Sequence, residues 1–137
     1  MPDVLDRFVA AQADSYDTAL AELTAGNKRS HWMWFIFPQI AGLGRSPTAI
    51  FYAIADLDQA RTYLAHPLLG PRYVACTAAL LPHTERSAES IMGGVDALKL
   101  RSSLTLFDAA GAPTIVAQAL SSFFPAPDPA TLRLIGR

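Results

Sequence analysis

The stretch HWMWFIFPQIAGLGRSP, residues 31–47, holds six consecutive large apolar side chains, Trp32 to Phe37. It follows a basic lead-in of Lys28, Arg29 and Ser30 and runs into a glycine-containing loop. A run this short fits a buried strand or a buried helix equally well, because six residues are too few for periodicity to separate the two. The flanks decide the reading. Ser30 can cap a helix start, Pro38 ends the element before it, and Ser46-Pro47 is an N-cap followed by proline at the first helical position. The run therefore reads as a short buried helix, residues 41–46 as a loop, and residues 47–55 as the next helix.

Working outward, helical signals recur along the whole chain. Phe8, Val9, Gln12, Tyr16, Ala19, Leu20 and Leu23 recur at steps of three and four, which gives one stripe. Asp14 or Ser15 can cap a fresh start within it, so residues 6–23 read as one bent helix or two consecutive ones, stopped by Gly26-Asn27. Asp56 with Gln59 is close to a capping box and opens 57–66. Gly70-Pro71 reads as a break, followed by a helix to Pro82. Ser87 caps 88–93, Asp96 caps 97–110 up to the stop at Gly111, and Pro113 begins the next helix. Asp128-Pro129 repeats the cap-then-proline device before 130–136. Alternating strands, hairpin turns and internal repeats are absent. The expectation is an all-α single compact domain over residues 1–137, built of seven to nine short helices that are marginal alone and must be held by packing.

Composition narrows the function classes. A chain of 137 residues, 51% hydrophobic and 17% charged, is long and apolar enough to bury a core and is the opposite of a disordered segment. A net charge of −1 argues against nucleic acid as a partner. No apolar run approaches the roughly 20 residues that span a bilayer. The early acids and missing apolar h-region do not fit a secretory signal, so no membrane association and a cytoplasmic location are expected. The lone Cys76, inside an apolar run, reads as a buried inert thiol. His31, His66 and His83 are far apart, and no phosphate-binding loop, dinucleotide fingerprint or nucleophile elbow occurs. Neither a metal nor a cofactor is expected.

Three segments carry a resemblance. KRSHWMWFIFPQIAGLGRSP (28–47), YLAHPLLGPR (63–72) and LKLRSSLTLF (98–107), with LDRFVAAQ near the start, are similar to the bacterial and plant domain-of-unknown-function family 1810. The likeness covers nearly the whole chain. It implies an all-helical fold and carries no established activity. Some members bear the label calpastatin, an inhibitor type that is disordered and polar, unlike a chain that is half apolar.

Each segment mixes large apolar residues with polar ones that are costly to bury. One reading gathers Lys28, Ser30, His31, Trp32, Trp34, Arg45, Ser46, Lys99, Arg101 and Ser102 around one cleft. Arg and Lys would hold a small anionic molecule, phosphate- or carboxylate-bearing and nucleotide-like, hydroxyls would assist, and an indole would face a ring or a cation. His31 is then the candidate acid–base group, with Arg45 or Arg101 as the oxyanion clamp, and no nucleophile stands out. A second reading makes the same residues structural: Ser30 and Ser46 as caps, the arginines on backbone carbonyls, and the Trp-Phe block as core. A third makes the domain a protein-interaction module with an exposed apolar patch.

Overall fold

The computed structural model describes residues 3–137. Ten α-helices form among them: α1 Asp6–Ala13, α2 Tyr16–Ala25, α3 Met33–Ile36, α4 Pro47–Phe51, α5 Leu57–Ala65, α6 Leu69–Leu80, α7 Ala88–Met92, α8 Gly94–Ala109, α9 Thr114–Phe123 and α10 Pro129–Leu134. A 3-10 turn, Leu81–His83, follows α6. The all-α expectation holds, with ten helices among the described residues against the seven to nine expected. The single extended feature among the described residues is a one-residue parallel bridge between Ile40 and Ile54.

The stripe at 6–23 resolves into two helices, and Gly26, at φ 70°, supplies the left-handed stop. Four side-chain caps form where the sequence places them. Ser46, Asp56, Ser87 and Asp128 accept the amides of Ala49, Gln59, Ser90 and Thr131 at 3.1, 2.8, 3.1 and 3.2 Å.

Four local expectations change. The helix α4 stops at Phe51 rather than residue 55, because Ile54 leaves it to bond the chain at 39–41: its amide donates to the Gln39 carbonyl and its own carbonyl accepts from Ala41, both at 2.8 Å. Gly70-Pro71 does not break the chain. It sits in the first turn of α6, where proline loses no hydrogen bond because first-turn amides have no partner within the helix. His66 serves that end instead, its Nδ1 accepting from the amides of Leu68 and Leu69. Gly70 is needed for contact: a Cβ there would lie 2.0 Å from the Leu64 carbonyl oxygen. Asp96 is not a cap, since α8 begins two residues earlier. Ser30 does not cap α3, whose N-cap position is Trp32.

The core is one contiguous cluster centred on α8, whose Leu100, Leu104, Leu106 and Phe107 are buried. Helices α5, α7, α9 and α10 pack around it, and α6 links α2, α5 and α9. Aromatic rings form its spine. Phe107 lies 4.3 Å from Tyr73 and 5.2 Å from Tyr63, and Phe37 and Phe8 extend the chain of rings on either side. Both buried hydroxyls are satisfied: Gln12 donates to Tyr63 at 3.1 Å, and Tyr73 pairs with Ser103 at 2.9 Å. Burial pushes both phenols above their ordinary range and Cys76 up to about 12, so the thiol is inert.

Candidate functional site

The segment 28–37 is anchored by a residue outside it. Glu22, near the end of α2, accepts four hydrogen bonds: from the amides of Arg29 and Ser30 at 2.8 and 2.9 Å, from Ser30 Oγ at 2.6 Å, and from Trp32 Nε1 at 3.0 Å. Partial burial would raise its pKa. The four donors outweigh that and hold the carboxyl at about 2. Ser30 and the indole N–H are thus committed to architecture, and Trp32 is buried against Phe37.

Beside this anchor stands a paired arrangement. Lys28 Nζ lies 4.8 Å from the Trp32 ring centre, and Lys99 Nζ lies 4.4 Å from that of Trp34. One carboxylate serves both ammonium groups. Asp96, in the first turn of α8, is 2.8 Å from Lys28 and 3.6 Å from Lys99. Lys28 also donates to the Ser30 carbonyl and is almost fully buried. Lys99 is more exposed and more loosely held. Two cations against one anion leave a surplus positive charge on the Lys99 side.

Lys99 opens onto a cleft of about 350 Å³ between residues 39–44, the N-terminal half of α8 and the start of α10. Arg101, Ser102 and Asp128 line its polar side, and Leu43, Val95 and Leu98 its apolar side. Arg101 donates to the carbonyls of Ala126 and Pro127 at 2.8 and 2.9 Å, tying the proline-rich 125–129 segment to α8. Ser102 donates to Asp128 at 3.0 Å. Partial burial works to raise the Asp128 pKa, but hydrogen bonds from Thr131 and Ser102 prevail and lower it, so it stays an anion.

Trp34 itself lines a second, open hollow of about 580 Å³, together with His31, Phe35, Pro47, Thr48, Phe51 and Tyr52. His31 is exposed there. Ser46 and Arg45 lie on the exposed turn leading into α4, Ser46 as its cap, and Arg45 forms no ion pair among the described residues.

The ten sequence candidates therefore divide. Lys99, Arg101 and Ser102 share the cleft, with Trp34 beneath Lys99. His31 and Trp34 share the hollow. Lys28, Ser30 and Trp32 are taken up by Asp96 and Glu22, and Arg45 and Ser46 lie on the turn outside. Asp96, Asp128, Phe51 and Tyr52 were not among the candidates. The i, i+3 spacing of Asp96 and Lys99 signals their pairing; nothing local signals Glu22. Among the described residues, no three His, Cys, Asp or Glu side chains are placed to hold a metal ion, and no helix is long and apolar enough to cross a membrane.

The profile of the family described as "Protein of unknown function (DUF1810)" matches residues 2–135. The chain belongs to this family. Its fold is similar to that in the crystal structure of the conserved hypothetical protein Rv1873 from Mycobacterium tuberculosis, at 46% sequence identity and a TM-score of 0.94, over 97% of this chain and 96% of that one. No curated protein matches the chain. Membership and the shared fold agree with the resemblance carried by the three segments.

Proposed function

We propose that this DUF1810 domain binds a small anionic molecule, phosphate- or carboxylate-bearing, in the cleft lined by Lys99, Arg101 and Ser102. One observation carries the reading: Lys99 is held on Trp34 at the cleft while the carboxylate it would need for full neutralisation is shared with Lys28. Such a cation is preorganised and only partly compensated, so an incoming anion gains a charge-assisted bond without ordering a flexible side chain. Arg101, whose guanidinium stays on the backbone carbonyls, offsets the charge of the Asp128 carboxylate that lines the same cleft, which leaves Lys99 as the group that would meet the anion. Leu43, Val95 and Leu98 would receive the apolar body of the ligand.

The test is a thermal-shift series with inorganic phosphate, pyrophosphate and carboxylate metabolites. A ligand at 100 times its Kd stabilises by about 2.7 kcal/mol. The stabilisation should vanish in Lys99→Met and persist in Arg61→Ala, a change on α5 outside the cleft. Equal stabilisation of both variants would sink the proposal.

A second reading, a protein-interaction surface, draws on Val95 and Leu98, which are 70% and 66% exposed on successive turns of α8. It would leave the anion series flat and make Leu98→Ser the variant that disrupts a complex.

A further inference from the structure

The hollow lined by Trp34 has a chemistry different from the cleft, and nothing in the anion reading uses it. Its wall is aromatic. Phe51 meets Tyr52 edge-on at 4.8 Å, and Tyr52 packs on Phe35 at 5.3 Å and on Phe8 of the core at 5.9 Å. Phe51 is nonetheless 57% exposed, so a large ring leaves much of its surface in water. Pro47, Thr48 and the exposed His31, which carries a polar ring, complete the lining. Flat apolar walls with one hydrogen-bonding edge suit a planar heteroaromatic ring, which stacks on aromatic side chains whatever its substituents.

The hollow and the cleft are neighbours. Trp34 lines the hollow and carries Lys99, which lines the cleft. The turn at 44–49 joins them a second time: Gly44 lines the cleft, a Cβ there would lie 2.4 Å from that of Ala49, and Pro47 and Thr48 line the hollow. Arg45, without an ion pair among the described residues, lies on that turn.

We infer that the aromatic hollow is a ring-binding subsite adjoining the anion cleft, and that the ligand class is a planar heteroaromatic ring joined to a phosphate or carboxylate, as in a mononucleotide. The joining of the two halves rests on the anion reading; the ring subsite rests on the hollow alone. The ring sits among His31, Trp34, Phe51 and Tyr52, and the anion reaches Lys99 across the Trp34 edge.

Titrations followed by NMR at the Trp34 indole N–H and the His31 ring, with calorimetry for affinity, separate the parts. The probes are adenosine, inorganic phosphate and AMP. Adenosine alone should shift both reporters, and AMP should bind at least tenfold tighter than either fragment. Phe51→Ser, a change at an exposed position, should weaken adenosine and AMP at least tenfold and leave phosphate unaffected. Lys99→Met should weaken phosphate and AMP and leave adenosine unaffected. Adenosine that moves neither reporter, or AMP binding indifferent to Phe51→Ser, overturns the ring subsite even if phosphate binds. Adenosine that binds while AMP is no tighter overturns the joined ligand and, with phosphate silent, the anion reading with it. Shifts raised by a polyproline peptide and not by adenosine would assign the aromatic wall to a protein partner and overturn the inference.

Discussion

Trp32 with Lys28 and Trp34 with Lys99 are the same chemical pair built twice around one carboxylate, and they end in opposite conditions. In the first pair the ring is buried, its N–H is on Glu22, and the ammonium has a carboxylate at 2.8 Å and a carbonyl besides. In the second, the ring is half-buried at the edge of the aromatic hollow and the ammonium is 3.6 Å from the same carboxylate. A cation over an indole is thus not itself a sign of function. The number of other partners each group has already found separates scaffold from site.

The comparison breaks most visibly at Trp32. Trp32→Ala should cost about 3–5 kcal/mol, the range for emptying an aromatic from a packed core, while Trp34→Ala should cost clearly less; urea unfolding of the two variants checks this. Equal losses would make both pairs scaffold. Next comes Glu22→Gln, which keeps the shape and removes the charge from four donors. Charge-assisted bonds contribute about 1.5–3 kcal/mol each, not additively. The sign with pH follows from the lowered pKa. The folded carboxyl titrates at about 2 and an unfolded Glu at about 4.3, so its contribution is complete above the unfolded value and fades as pH falls towards 2. Stability profiles between pH 6 and 2 should therefore be steeper in the wild type than in Glu22→Gln. A smaller effect, about 1–3 kcal/mol, is expected for Lys28→Met, which strips a nearly buried partner from Asp96. Lys99→Met should be the mildest, because its ion pair is longer, at 3.6 Å, and its side chain more accessible than that of Lys28, yet it is the change expected to abolish anion binding. A Lys99→Met variant as unstable as Lys28→Met would erase the distinction.

What the sequence disclosed follows the range of each interaction. The caps at Ser46, Asp56, Ser87 and Asp128 were legible because the side chain and the amide it serves are three residues apart. Asp96 was misread as a cap by the same logic, since its main partner, Lys28, comes from a segment far away in the chain. The end of α4 was missed because a tertiary contact overrides helix propensity: residues 47–55 look helical until Ile54 finds residues 39–41. Within the site, the residue types were visible in 28–46 and 98–107. Which of them would be left with spare capacity was not, because that depends on Glu22 arriving from α2 and on Lys28 arriving from a distant segment to share Asp96 with Lys99.

The small bridge between Ile40 and Ile54 has a reach beyond its size. It works as a clasp, two hydrogen bonds of 2.8 Å pinching off an excursion of the chain. That excursion supplies Leu43 and Gly44 to the cleft and Pro47, Thr48, Phe51 and Tyr52 to the hollow. Releasing the clasp would loosen a wall of both recesses at once. Deuterium uptake at the amides of Ala41 and Ile54 therefore offers a direct gauge of how often the surface comes apart, and a genuine occupant of either recess should slow it.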